Sequence, residues 1–285
     1  MSQPSASPSR VAVSLIIPTY GREALLVNTL RCALAQDRDD CEIIVVDQTP
    51  SHEPATRDFL RDNAHRIHLV ELSRPSLTAA RNTGLRESRG EVVVFVDDDT
   101  TFEPDFLTRH LEAHGQGTGA VQGRVTEPSG TRHEQPPWLN RWLRFSGGNN
   151  CDHDGSTNCL TGCNFSVCRE ALDAVGFFDE RYVGVAVREE TDFALRVIAG
   201  GFRIRFCAAA AVFHHRSNSG GVGEGGNALF FNRLYYFNEM LFASKHFSPL
   251  AVALYRVRLR LRGRRALRRL IRHAESEARR ALEEE

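Results

Sequence analysis

Val92 to Val96, five apolar residues in a row, run directly into three carboxylates, Asp97, Asp98 and Asp99. Such a run predicts a strand buried on both faces, as in a parallel sheet. In an open α/β sheet the carboxyl ends of the strands face the ligand crevice. Three adjacent acids there repel one another, and each costs free energy unless something positive sits between them. A hard divalent cation held by oxygen ligands is the simplest answer. Taken alone, the three acids also read as a solvated acidic turn with a helix N-cap.

The residues before this strand repeat one pattern. Val11 to Ile17 is apolar and β-branched and stops at Pro18, and Thr19-Tyr20-Gly21-Arg22 makes the turn. Glu23 to Leu34 has helical spacing. Glu42 to Val46 is a second strand closing in Asp47; Ala55 to Ala64 is helical; Ile67 to Leu72 is a third strand; Ser76 to Ser88 is a helix; Gly90 to Asp99 is the fourth strand. This alternation predicts an α/β fold, a parallel sheet flanked by helices. Parallel topology brings Pro18-Thr19-Tyr20, Asp47 and Asp97 to Asp99 to one edge. No G-x-G-x-x-G or G-x-x-x-x-G-K-[ST] phosphate loop occurs. Asp47 is suited to accept from a base or sugar, or merely to cap its turn.

Beyond Asp99, Pro104 to His114 predicts a helix and Val121 to Val125 a strand. Glu127 to Asn158 is rich in Pro, Gly, Asn and His without clear period, and a loop that long is usually functional or mobile. Trp138 and Trp142 lie i, i+4 within it, on one face of a short helix, either as a sugar-stacking platform or as anchors on the core. Leu160 to Val167 is strand-like, and Arg169 to Val175 a short helix. A helix from Arg188 carries Glu189, Glu190 and Asp192 in its first turn, where the helix dipole alone favours anions. Two strands, Phe202 to Phe206 and Ala208 to Phe213, precede His214-His215. Arg216 to Asn227 has five glycines in twelve residues and suits a lid. Leu229 to Phe247 is a helix.

Leu250 to Glu285 holds 11 Arg and 5 Glu, a net of +6, so the neutral whole hides a basic tail on an acidic body. Tyr255 to Arg262 alternates apolar residues with Arg, a strand period at face value, but the tail reads as amphipathic basic helices suited to anionic lipid headgroups. No nucleic-acid motif accompanies the charge. Seven scattered cysteines form neither a disulfide framework nor a CxxC pair, and Cys151, His153, Cys159 and Cys163 fit no common zinc spacing. A reduced cytosolic protein fits best; no stretch is long enough to span a membrane, and the Ser/Pro-rich start lacks a signal h-region.

In this order the motifs resemble those of the family 2 glycosyltransferases. Val13 to Tyr20 resembles their opening strand, and Glu42 to Asp47 their second strand with its nucleotide-binding Asp. Ala79-Ala80-Arg81-Asn82-Thr83-Gly84 is similar to their A-x-R-N-x-G helix, and Phe95 to Asp99 to their DxD strand. Gly162-Cys163-Asn164-Phe165 through Gly176-Phe177-Phe178-Asp179-Glu180 resembles their acceptor-side segment. Glu189 to Arg196 resembles the E-[DE]-x-D-L-x-x-R helix.

The resemblance implies a GT-A fold, to which the tail adds a C-terminal helical extension, and inverting transfer from a UDP-, GDP- or dTDP-type sugar donor with Mn²⁺ or Mg²⁺. Residues 1–10 would be a disordered start, 11–100 the donor half, 101–215 the acceptor half, and 216–285 a Gly-rich loop with the basic tail. Carried over by position, Pro18, Thr19, Tyr20, Arg22 and Asp47 would bind the nucleotide, and Arg81 would sit near base or diphosphate. Asp97 or Asp98 would hold the ribose; Asp99, with Asp97 and His214, the metal; and Asn164 would lie toward donor sugar or acceptor. Glu190 would be the base, with Glu189 and Asp192 as alternates. As a stacking platform, on their own chemistry and not by resemblance, Trp138 and Trp142 would face the acceptor. That acceptor is a saccharide, a lipid-linked saccharide or a smaller molecule. Expected location is the cytoplasm, peripheral on the inner membrane face through the tail; self-association is open. The competing readings are a nucleotidyltransferase on a similar sheet, and a non-catalytic sugar or nucleotide-binding module.

Overall fold

In the computed structural model, which describes residues 11–216, 228–262 and 265–283, the first hundred residues alternate strand and helix. The order is β1 (Val13–Thr19), α1 (Ala24–Leu34), β2 (Cys41–Asp47), α2 (Pro54–Asp62), β3 (Ile67–Glu71), α3 (Leu77–Glu87) and β4 (Val92–Val96). Successive strand side chains point to opposite faces. Leu15, Ile17, Val94 and Val96 therefore enter one core, against Leu26 and Leu30 of α1. Ile16, Val93 and Phe95 enter the other, with Ala80 and Leu85 of α3. This is why continuous apolar runs, rather than alternation, mark these strands. α3 lies so close to the sheet that a Cβ on Gly84 would stand 2.5 Å from the Ile16 side chain.

The second half adds β5 (Thr100–Phe102), α4 (Phe106–Ala113), β6 (Thr118–Thr126), β7 (Trp138–Leu139), β8 (Phe145–Ser146) and β9 (Gly155–Thr157). Then come β10 (Asn164–Cys168), α5 (Arg169–Val175), α6 (Glu189–Ala199) and β11 (Arg203–His214). Among the described residues nine strands form one sheet, in the order β3-β2-β1-β4-β10-β6-β11-β5, with β9 also on β11. β1 to β4 are mutually parallel; β10 runs antiparallel between β4 and β6. The two strands expected over 202–213 are one, kinked where its register on β6 jumps between Cys207 and Ala211. β11 pairs antiparallel with β5 and sets His214 opposite Thr100, one residue beyond Asp99. A residue from the far end of the chain thereby reaches the three carboxylates.

Trp138 and Trp142 do not share a helix. Trp138 lies in the β7–β8 hairpin, paired with Ser146, and Trp142 lies in its turn. The Asn140 side chain accepts from the backbone N–H of Trp142 and Arg144, and Leu143 takes φ +53°, so a turn replaces the helix.

After β11 come α7 (Ala228–His246), α8 (Pro249–Arg262) and α9 (Arg265–Glu283). Met240, Phe242, Val252, Tyr255 and Ala278 of these helices build a third core with Leu139, Leu143 and Tyr182 of the body. The described part of the extension is therefore packed on the body. No helix of the described residues is long and apolar enough to cross a membrane. Residues 1–10, expected to be disordered, and residues 217–227 of the Gly-rich stretch expected to form a lid lie outside the described residues.

Candidate active site

Three strand ends meet where β1, β4 and β11 stop. Asp97, Asp99 and His214 each offer a ligand atom, all within 4.8 Å of one another. His214 Nε2 lies 3.1 Å from Asp99 Oδ1. Burial would hold the imidazole neutral, but the Asp99 hydrogen bond and the charges of Asp97 and Asp99 raise its pKa above the ordinary value. Asp98 turns the other way. Its Oδ2 accepts from Thr19 Oγ1 at 2.6 Å, and burial pushes its carboxyl up to about 7 despite this bond and Arg22. The Arg22 guanidinium reaches both Asp98, at 3.5 Å, and Asp99, at 3.4 Å. Two of its nitrogens, Nε and Nη1, are buried without a hydrogen-bond partner, as befits a group awaiting an anion. Pro18, Thr19, Tyr20, Arg22, the three acids and His214 line one cleft of about 150 Å³, completed by Gln48, Leu77 and Val185.

Asp47 stands opposite Thr19 in the sheet register. Its Oδ1 accepts from the Thr49 N–H at 2.9 Å, the turn cap anticipated as one of its two roles. Its Oδ2 meets His52 Nε2 at 2.7 Å, and His52 Nδ1 meets Glu23 Oε1 at 3.1 Å. Burial lowers the pKa of His52, but the two flanking carboxylates more than reverse this and raise it. His52 escaped the sequence reading; a lone His in a loop carries no spacing that marks it.

α6 is launched by a strained turn. Arg188, its N-cap, takes φ +79°, and Ala186 φ +48°, conformations that cost non-glycine residues free energy. Arg188 is held by the buried Glu239 of α7, 2.8 Å away, and its guanidinium stacks 4.4 Å over the Phe145 ring. Tyr255 donates its hydroxyl to the same Glu239. The first-turn acids then part company. Glu189 is buried and paired with Arg81, which also lies 3.6 Å from Asp97 and donates to the Gly162 carbonyl at 3.1 Å. Glu190 is half-buried and senses Arg81, Arg188 and Asp97; burial raises its pKa above its ordinary value, against the pull of Arg81. Asp192 faces α7. It is fully buried, with Arg196 at 2.9 Å, Lys245 at 2.8 Å and His246 at 2.6 Å, and Tyr182 donates to it at 3.3 Å. Burial opposes its charge, yet these partners hold its carboxyl down to about 2. It joins α6 to α7 and lies apart from the acid cluster.

Asn164 is not brought to the cleft either. It is fully buried under β6 and β11, donating to the Arg124 and Ala210 carbonyls at 2.8 and 2.9 Å. Those bonds fix its oxygen toward His110 Nε2 at 2.9 Å. His110 must therefore carry its proton on Nε2, accept at Nδ1 from Ser166, and leave the Ser166 oxygen to accept from His114. The motif residue is spent on the kink in β11. Trp138 and Trp142 are exposed on the hairpin, outside the carboxylate cleft. Cys151, Asp152 and His153 cluster within 4.8 Å, but as neighbours in sequence and without Cys159 or Cys163.

A family model described as Glycosyl transferase family 2 matches residues 14–176. EpsH of Bacillus subtilis is 31% identical over 111 residues, 39% of this chain and 32% of that protein. The succinoglycan biosynthesis protein ExoM of Rhizobium meliloti is 29% identical over 209 residues, 70% of this chain and 65% of ExoM. The chain thus spans less than two thirds of the length of either relative. Among solved structures, mannosyltransferase PcManGT from Pyrobaculum calidifontis, in complex with GDP-Man and Mn²⁺, superposes with a TM-score of 0.59 at 20% identity. The superposition covers 96% of this chain and 84% of that one, a likeness of GT-A fold.

Proposed function

The chain belongs to glycosyl transferase family 2, and from that premise we propose that it transfers a sugar from a nucleoside diphosphate to an acceptor hydroxyl, with metal assistance and inversion. One observation carries the reading. Asp97, Asp99 and His214 converge at strand ends beside the cleft of Thr19, Tyr20 and Arg22. Two carboxylates and an imidazole suit Mn²⁺ or Mg²⁺, and carboxylates packed this tightly favour a cation between them. When bound, the ion supplies charge neutralisation for the departing diphosphate. PcManGT was crystallised with GDP-Man and Mn²⁺, which supports a donor of this class here.

The protein's own groups do the rest. Pro18, Thr19, Tyr20 and Asp47 bind the nucleoside at the ends of β1 and β2. Arg22, with two buried nitrogens that lack a hydrogen bond, takes a diphosphate oxygen. Arg81, 3.6 Å from Asp97, opposes the burial that raises the Asp97 pKa, and it fixes Glu189. Glu190 takes the acceptor proton: a carboxyl with a raised pKa is a better base than an ordinary one. The acceptor oxygen bonds to the anomeric carbon as the bond from that carbon to the diphosphate breaks on the opposite face. One displacement inverts the centre.

The acceptor is a saccharide or a lipid-linked saccharide, and the chain works in polysaccharide assembly, as ExoM does in succinoglycan synthesis. It works on the cytoplasmic side, at the membrane periphery through its basic C-terminal segment. Incubation with a panel of UDP-, GDP- and dTDP-sugars and Mn²⁺, assayed for release of nucleoside diphosphate, tests the reading. Release by the wild type and none by Glu190→Gln supports it. Binding of a donor without any release marks a non-catalytic module.

A further inference from the structure

Eleven large apolar side chains are exposed among the described residues, and six of them lie on two neighbouring elements. Trp138, Trp142 and Phe145 belong to the β7–β8 hairpin; Leu250, Leu254 and Val257 belong to α8. The α8 residues recur at i, i+4 and i+7, with Ala253 between them, as a continuous exposed stripe. The opposite side of α8, Ala251, Val252 and Tyr255, is already buried in the third core. α8 is thus apolar on two faces, and only one has a partner. Such a face on a water-soluble surface marks an interaction site.

The hairpin and helix are locked together. Arg258 donates to the Leu143 carbonyl at 2.8 Å, and between Trp142 and Leu254 runs a groove of about 530 Å³. Arg144 and Arg258 line it, no acid does, and Arg141 stands over the Trp142 ring at 5.2 Å. None of these three arginines forms an ion pair with a described acid, and Arg258 Nε is buried without a partner. An apolar stripe, aromatic rings and unpaired guanidinium groups together match the boundary of an anionic bilayer, acyl chains below and phosphates at the level of the arginines. A second copy docked about a two-fold axis would instead set this same arginine-bearing, acid-free groove against itself.

We infer that the hairpin and the exposed face of α8 seat this chain on an anionic lipid surface. This deepens the membrane placement proposed above and rests on it, moving the contact from the tail's charge alone to a defined apolar face. The face adjoins the site: Phe145 packs on Arg188, which directly precedes Glu189 and Glu190. A lipid-linked acceptor would rise from the bilayer beside the base.

Both tryptophans of the chain sit in this hairpin, so tryptophan emission reports on this face alone. The full chain is mixed with phosphatidylcholine vesicles, with or without phosphatidylglycerol, and with brominated lipid as quencher. Flotation and quenching together are expected with phosphatidylglycerol and not without it. Leu254→Glu/Val257→Glu, at positions 51% and 52% exposed, should melt like the wild type and bind these vesicles at least about tenfold more weakly. Flotation without quenching means that the tail alone docks, and overturns the inference. So does equal binding by the variant, equal binding to neutral vesicles, or a dimer that the variant dissolves without any vesicle binding. Stabilisation by nucleoside diphosphate with Mn²⁺, read on the same samples, tests the donor reading separately; lost docking with that stabilisation intact overturns only the inference.

Discussion

Thr19 Oγ1 donates to Asp98 Oδ2 at 2.6 Å and ties the end of β1 to the end of β4 across 79 positions of sequence. The bond holds the middle acid of the triplet on β1, while Asp97 and Asp99 gather with His214. Thr19→Val keeps the shape and removes the donor to a buried carboxyl. Above pH 7, where the Asp98 carboxyl is ionised, a hydrogen bond to it contributes about 1.5–3 kcal/mol. Urea unfolding of the metal-free protein should show a loss in that range, and an unchanged midpoint would contradict the assignment.

Adjacent acids of α6 are expected to fail differently. Glu190→Gln should lower kcat by about 10²- to 10⁴-fold, the usual contribution of a general base, with the donor KM little changed. Glu189→Gln removes the partner of the buried Arg81, and breaking a buried pair costs about 3–5 kcal/mol. Its main effect should be a lowered melting temperature. Steady-state kinetics beside thermal melts separate the two; a reversed pattern would exchange their roles.

Much of this was legible from residues alone. Val13 to Ile17 and Val92 to Val96 announce buried strands because both faces of the sheet are covered, so nothing interrupts the apolar run. The convergence of Asp97, Asp99 and His214 follows from topology once the family pattern is seen. What stayed hidden depends on pairings made at long range. Asn164 reads as a site residue until the kink in β11 is seen to need its amide. The spacing of Trp138 and Trp142 suits a helix until Asn140 caps the turn between them. His52 gains its place only when Asp47 and Glu23 close on it from two different elements.

The Asn164 network predicts an acid-sensitive core. Burial pushes His110 down to about 3 and His114 to about 4, so both are neutral in the folded protein at pH 5. In the unfolded chain they ionise near pH 6.5, so the unfolded state binds more protons below that value. Stability is therefore complete above about pH 6.5 and falls as the pH drops, by about 1.4 kcal/mol per pH unit for each proton. His110→Gln should flatten this slope in urea titrations between pH 6 and 4. An unchanged slope would refute the buried, neutral assignment.

Asp192 adds a second loss at lower pH. Its folded pKa, about 2, lies below the unfolded value of 3.8, so its stabilisation is present above about pH 4 and disappears as the pH falls toward 2. The shift corresponds to about 2 kcal/mol. Asp192→Asn should be less stable than the wild type at pH 7 by about that amount and should approach it near pH 2, followed by denaturant melts. A deficit unchanged at pH 2 would mean that the four partners of Asp192 do not act through its charge.

A metal-assisted nucleotide-sugar site at Asp97, Asp99 and His214 should show itself in thermal stabilisation by UDP, GDP, dTDP and CDP, each measured with and without Mn²⁺. A ligand at a hundred times its dissociation constant stabilises by about 2.7 kcal/mol, a readily measured shift. One nucleotide should raise the melting temperature far more with Mn²⁺ than without, and Asp99→Ala should abolish the metal-dependent part. A nucleotide that stabilises equally without metal, or equally in Asp99→Ala, would contradict such a site.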